Sequence, residues 1–470
     1  MKTKFIFSVF VIVSLCIGKV CSQIVPSTQK AVLIEKDKAI LEQHLSEYAT
    51  FTMDKREIIN TFRTNGTGQF RLRIDERLDW TIDLQLNDMR APDYKQTYIS
   101  DEGKFEDESY RVNTFKGTTS NNQIARFTID ENNFLGIILD NEYHYVIRPA
   151  KDYTKNSLDE SLIVYKSSDI IFEDETFDYT NDALIVPDDG KNENVEESVM
   201  RNSASCTYYL RIATDADYEV YQGKGSSLAN TYSHIFSLLN IVEGVYESTF
   251  NLKFIITYQN VWTTTSNGYP YAPTDTCANL LRQFRDYWNS NMTGISRNIA
   301  HLFTGYPVGC AWLGQINSSL AYGLSRVRPG MYYKTTAHEI GHNLGAYDAN
   351  LQDSLVYEEC FCGTLGAAST MCQGDNKDDN LWFCQTSINE IAPFLANRSA
   401  LLTGSFPANL TLTGTANGFN NNQATETITS NQLINSGFTS YKAGTKVVLS
   451  PGFKINPGAE LKIIMDDGCP

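Results

Sequence analysis

His338-Glu339-Ile340-Gly341-His342-Asn343-Leu344-Gly345-Ala346-Tyr347-Asp348 is the stretch on which the reading of the whole chain turns. At about 3.6 residues per turn, histidines four apart fall on one helix face, so two imidazoles can share one zinc ion. Glu339 lies about 100° round the helix, beside the metal rather than on it, where it can take a proton from an attacking water. Gly345 suits the positive φ that ends a helix, and the reversed chain can then present Asp348 to the histidines. A catalytic zinc keeps three protein ligands and one open position. The chain has 6 histidines and none follows His342, so the third ligand must be a carboxylate or an upstream histidine. Asp348 is the first choice, with Glu358 and Glu359 in reserve.

The chain around this motif has 470 residues, which at roughly 100–200 residues per domain predicts two to four domains. A 42% hydrophobic content is enough to bury ordinary cores. Lys+Arg 39 against Asp+Glu 55 gives a net charge of −16, which argues against a nucleic-acid or anionic-membrane partner. Lys2 and Lys4 precede an apolar stretch from Phe5 to Ile17, and Val20 and Ser22 are small enough for cleavage before Gln23. Residues 1–22 therefore read as a signal peptide. No later segment approaches 18 continuous apolar residues, so an exported protein without a transmembrane segment is expected. Of the 10 cysteines, none lies between residues 23 and 205, and export makes disulfides the default for those beyond.

The fold class expected is a multidomain chain. Residues 23–201 form a β-rich unit, in which Arg71 to Ile74, Thr81 to Leu86, Phe115 to Gly117, Ile124 to Ile129, Phe134 to Leu139 and Tyr143 to Ile147 read as strands. The unit ends in an acidic linker from Asp169 to Glu197, and Arg201 just beyond is exposed to a processing protease. Residues 202–400 alternate helices and strands: Tyr208 to Ala213, Ala229 to Tyr246 (helix), Leu252 to Tyr258, Cys277 to Trp288 (helix), Ala300 to Phe303, Ala311 to Leu313 and Ala321 to Leu324. An α/β sheet domain follows. Residues 405–470, rich in Thr, Asn, Gly and Ser, read as a small all-β module, with Thr425 to Ile434 among its strands.

With these residues in view, the chain resembles a metzincin zinc endopeptidase of the adamalysin/reprolysin branch, with Asp348 where a third histidine is usual. The resemblance covers roughly Cys206 to Asn397. It implies a twisted mixed sheet (an α+β arrangement) with one active-site helix, one catalytic zinc on His338, His342 and Asp348, and Glu339 as general base and acid. Gly309-Cys310-Ala311-Trp312-Leu313-Gly314 resembles the edge strand that pairs with substrate backbone, and Thr370-Met371-Cys372 resembles the methionine turn beneath the metal. The cysteine framework of that branch suggests Cys360–Cys384 and Cys362–Cys372. Phe115-Lys116-Gly117 through Pro149 resembles a reprolysin propeptide, but the absence of any cysteine from residue 23 to Cys206 rules out a cysteine ligand on the zinc, leaving steric cover or a carboxylate for latency. Tyr441 to Ala459 resembles small β-repeats that end secreted Bacteroidetes proteins and serve surface attachment or export.

The function implied is a secreted zinc metalloendopeptidase made as a zymogen. Its partners are peptide and protein substrates and its own propeptide, and the C-terminal module offers attachment to the cell surface. Two alternatives stand beside it. One is a gluzincin-like protease using Glu358 or Glu359. The other is a secreted adhesin that keeps the zinc helix for stability. His301, inside an apolar strand, reads as structural, and Tyr347 as a packing residue.

Overall fold

Phe134–Leu139 (FLGIIL) and Ser161–Lys166 (SLIVYK) are apolar at nearly every position, which a strand needs when both its faces are covered. In the computed structural model both lie inside a nine-stranded antiparallel sheet. Its order is Thr28–Lys30, Ala49–Met53, Ser161–Lys166, Tyr145–Pro149, Phe134–Leu139, Ile124–Ile129, Thr114–Thr119, Asp79–Leu86, Thr67–Arg73. Because side chains alternate across a strand, neighbours enter different cores. Ile138, Ile147 and Leu162 pack with Phe70 and Trp80 under Ile58 and Phe62 of helix Arg56–Asn65. Ile137, Val146 and Ile163 face the other way, onto Ile235, Phe236 and Leu239 of helix Leu228–Phe250. A slip of one residue in register would exchange the two sets.

The structure describes residues 28–30, 35–108, 110–131, 133–139, 144–154, 161–171, 183–184, 207–266, 268–271, 276–306, 309–327, 333–362, 368–373, 381–396, 409–417, 420–424, 426–436 and 438–465. Residues 1–22, read from sequence as a signal peptide, lie outside the described residues, as do most of the acidic linker, Arg201, Cys206 and Cys469.

A second, eight-stranded sheet carries the zinc motif. Its order is Ala183–Leu184, Gly309–Trp312, Tyr322–Arg326, Ile299–Thr304, Tyr208–Ala216, Leu252–Trp262, Arg90–Ser100, Gly103–Glu106. The five strands from Tyr322–Arg326 to Arg90–Ser100 run parallel, and Gly309–Trp312 is antiparallel to its inner neighbour. Helix Cys277–Asn291 covers one face with Leu280, Leu281, Phe284 and Trp288. Helix Leu228–Phe250 lies in the core that the two sheets share.

This sheet takes strands from both sides of the division expected from sequence. Residues 90–106 belong to the second sheet although they fall within the first 201 residues, and so does the pair Ala183–Leu184. The physical reason is non-local: the partner of Arg90–Ser100 is Leu252–Trp262, far along the chain, and Pro92, which lacks a ladder donor, is accommodated at the bulge where the register shifts from Ile256↔Arg90 to Tyr258↔Lys95. Helices Glu35–His44 and Arg56–Asn65 stand among the strands of the region read as β-rich. Among the described residues no helix is long and apolar enough to cross a membrane.

The tail is a three-coil solenoid. Asn409–Leu412, Thr427–Ser430 and Lys446–Leu449 form one parallel face, Thr415–Ala416, Leu433–Ile434 and Lys454–Ile455 the second, and Asn420–Ala424, Phe438–Ala443 and Glu460–Met465 the third. The stretch read as one strand from Thr425 to Ile434 is thus two, split by a corner at Asn431-Gln432. Ile428, Ile434 and Tyr441 fill the interior. Asn456 donates to Asn435, and Asn435 to Asn417, each at 2.8 Å, so one residue per coil builds a ladder. Asn435→Ala breaks both rungs. It is expected to lower the local opening free energy by about 1 kcal/mol and to speed hydrogen exchange in the adjoining strands roughly fivefold.

Candidate active site

Helix Tyr333–Asn343 is nearly all buried, and side chains tie it down at its middle and at its C-terminal end. The Tyr246 hydroxyl donates to the Ala337 carbonyl at 2.7 Å. The Asn343 amide donates to the carbonyls of Trp312 and Tyr322 at 3.0 Å each, fastening the helix to the edge strand and its neighbour. Gly345 follows at φ +92°, the left-handed conformation expected of the residue that ends this helix. The reversed chain then brings Asp348 back over the histidines.

The three residues converge. Asp348 Oδ1 lies 3.1 Å from His338 Nε2 and 3.5 Å from His342 Nε2, and the three ligand atoms are all within 4.8 Å of one another. His338 Nδ1 is 2.8 Å from the Thr370 carbonyl, and His342 Nδ1 is 2.8 Å from the Ala346 carbonyl. A carbonyl only accepts, so each Nδ1 carries the proton and each Nε2 presents a lone pair to the same point. Two imine nitrogens and a carboxylate oxygen, all buried and facing one another, form a group that could hold a metal ion, and an N, N, O set of this kind suits zinc.

The methionine turn supports both sides of this set. Thr370 supplies the carbonyl that orients His338, and the Met371 carbonyl accepts from the Ala349 amide at 2.8 Å, next to Asp348. The fully buried Met371 side chain lies against Gly341, where an added Cβ would sit 2.5 Å from its Sδ. Gly341→Ala therefore overpacks the site at a cost of about 1–3 kcal/mol. Moving Met371 also moves the Thr370 carbonyl, so zinc affinity is expected to fall about 10–100-fold, the cost of losing a ligand's outer partner. Metal titration and thermal melting of the variant check both effects.

Glu339 is 2% exposed and lies on the side of the helix that meets the edge strand. A Cβ on Gly309 would be 2.7 Å from Glu339 Oε1, so the absence of a side chain there makes room for the carboxylate. From Gly309 the strand runs along the helix through Cys310, Ala311 and Trp312. After Leu313 the Gly314 amide donates to the His342 carbonyl at 2.8 Å. A peptide laid on this strand would therefore pass Glu339 and the His338, His342 and Asp348 cluster together.

The other expectations sort as follows. Glu358 and Glu359 are exposed on helix Ser354–Glu359, and Glu359 bonds Thr386 rather than joining the histidines. His301 is fully buried on Ser325 Oγ at 2.8 Å, and burial pulls its pKa down to about 3. Tyr347 is 48% exposed instead of packed, and its amide donates to Glu390 at 3.0 Å. Cys360–Cys384 and Cys362–Cys372 are bonded as the resemblance suggested, and Cys277–Cys310 adds a bridge from a helix to the edge strand.

Sequence reasoning missed what lies on the outer side of that strand. Ala183 and Leu184 pair with Ala311 and Trp312 in parallel, and the Leu313 amide donates to the Leu184 carbonyl at 3.1 Å. The available signal was Ala183-Leu184-Ile185-Val186, four apolar residues inside an otherwise acidic run.

Residues 204–384 match the family model Reprolysin_5, described as metallo-peptidase family M12. The chain is also 22% identical over 305 residues to the Xenopus laevis disintegrin and metalloproteinase domain-containing protein 22. That alignment takes in 60% of this chain and spans 31% of the relative's length. Together the two support a reprolysin-like metalloprotease domain.

Proposed function

We propose that this chain is a secreted zinc-dependent endopeptidase, made as a zymogen, in which His338, His342 and Asp348 hold one zinc ion and Glu339 handles the proton. The convergence of those three ligand atoms beside a buried glutamate and a sheet edge carries the reading. A zinc ion at that point supplies Lewis-acid polarisation of a peptide carbonyl and makes water more acidic. Glu339 receives the proton of the attacking water and returns it to the leaving amine. The main chain of Gly309–Trp312 aligns an extended peptide by strand addition, a mode that is blind to side chains and leaves selectivity to the pockets around it.

Latency has a physical support in Ala183–Leu184, which takes up the pairing positions of Ala311 and Trp312 that a substrate strand would need. This is the steric cover required where no cysteine lies between residues 23 and 205, and processing near Arg201 is the first step in lifting it. The solenoid is proposed as an attachment or export module. Its coils satisfy their own ladders, and the Lys462 amine reaches Gln85 at 3.4 Å across to the N-terminal sheet.

The test is hydrolysis of a mixed peptide library by protein cut within residues 190–200, with zinc quantified and with chelator added. Cleavage that chelator abolishes supports the reading. Bound zinc with no cleavage of any peptide moves the adhesin alternative ahead.

A further inference from the structure

The sheet that carries the site extends beyond the residues that match the family model. Past Leu252–Trp262 it continues into Arg90–Ser100, paired in parallel from Tyr258↔Lys95 to Trp262↔Ile99. Side chains fasten this junction. The Tyr94 hydroxyl donates to Gln259 Oε1 at 2.7 Å, Thr97 donates to Asn260 Oδ1 at 2.8 Å, and the Tyr232 hydroxyl donates to the Thr97 carbonyl at 2.8 Å.

A second layer of contacts is charged. Arg126, 3% exposed, pairs with both Glu243 and Glu247 of helix Leu228–Phe250. Lys116 Nζ reaches Glu247 at 3.1 Å, and the Asn87 amide donates to Glu243 at 2.6 Å and to Asn240 at 2.9 Å. Of the 23 residues in that helix, 16 are buried, Glu243 at 2% among them. A helix covered all round is an interior element, and here one side of its cover is the N-terminal sheet. Ala183–Leu184, in contrast, is held by two register pairs.

We propose that the N-terminal half, residues 35–171, is a retained subunit of the catalytic particle: after the chain is cut between Leu184 and Thr207 it stays bound without a covalent link and is not released. This rests on the reading of the chain as a processed protease. Departure of the N-terminal half would open the edge of an inner parallel strand, unseat a shared apolar core, take Arg126 from Glu243, and leave Glu247 with Lys253 but without Arg126 and Lys116. A domain that merely shields a site needs none of these contacts. The cover that must move is the two-residue strand, and the sheet behind it stays.

The experiment uses the full chain carrying Glu339→Ala, so that self-digestion plays no part, with a site-specific protease sequence placed within residues 190–200. After cutting, size-exclusion chromatography with intact-mass detection is expected to give one peak at the volume of the uncut chain, containing both fragments. Elution of the N-terminal fragment by itself overturns the proposal. Arg126→Glu, which sets a third negative charge against Glu243 and Glu247, is expected to split the peak. A milder pair, Tyr94→Phe with Thr97→Val, is expected to lower the urea concentration at which the fragments part, and no shift in that midpoint counts against the junction. Elution and mass decide the matter whether or not any peptide is hydrolysed, so failure of the protease reading is seen separately.

Discussion

Glu339→Ala is expected to leave zinc binding intact and to lower peptide hydrolysis by about 10²–10⁴-fold, the usual contribution of a positioned general base and acid. The separation of the two effects follows from geometry. The ligand atoms are His338 Nε2, His342 Nε2 and Asp348 Oδ1, while the Glu339 carboxylate is turned toward Gly309 on the edge strand. Removing it takes away the group that moves the proton and leaves the metal's donors and their carbonyl partners in place. Glu339→Gln keeps the shape without the basicity and should be as inactive as the alanine. Measuring zinc per chain and kcat/KM on one preparation checks the point; a variant that retains most of its activity removes Glu339 from the mechanism and brings the adhesin reading forward.

Asp348→Ala is expected to act at the preceding step. It removes one of three protein donors, so the loss in zinc affinity should exceed the about 10–100-fold that follows loss of a ligand's outer partner. Activity should fall with zinc occupancy and return in part at high added zinc. Asp348→His offers a neutral nitrogen in the same place and is expected to restore binding better than alanine does. Competition with a chromogenic chelator ranks the three proteins. If Asp348→Ala binds zinc like the parent, the third donor lies elsewhere, and Glu358 and Glu359 return as the first residues to replace.

The parts of this site that were legible in the sequence are those set by helical period. Two histidines four apart, a glutamate between them and a glycine at the helix end define the centre without any long-range information. Asp348 was a first choice rather than a deduction: no histidine follows His342, and the reversal at Gly345 favoured it over Glu358 and Glu359. What escaped was non-local or made of backbone. The carbonyls of Thr370 and Ala346 that set the two imidazoles have no side-chain signature. Strand Arg90–Ser100 reads locally like its neighbours, and nothing in its own pattern says that it leaves the first sheet for the second. In the tail, read as resembling small β-repeats, the period itself escaped: Thr415-Ala416-Asn417, Leu433-Ile434-Asn435 and Lys454-Ile455-Asn456 recur at 18 and then 21 positions with only the asparagine as the shared letter.

The donated strand also sets an order in time. Thr97 and Tyr258, whose hydroxyls meet at 2.6 Å, are 161 positions apart in the chain. Closing so long a loop is an entropic cost incurred before the parallel pairing rewards it, and contacts of this separation make folding slow. During synthesis the N-terminal half emerges first, and its strand can wait as a hairpin with Gly103–Glu106. Leu252–Trp262 then joins a partner that is already formed, and helix Tyr333–Asn343 is added later still. The histidines and Asp348 meet on a scaffold whose first strands were laid down hundreds of residues earlier. Ala183–Leu184, too, has left the ribosome before the strand it covers has been made. The ligand set therefore closes only when its cover already exists.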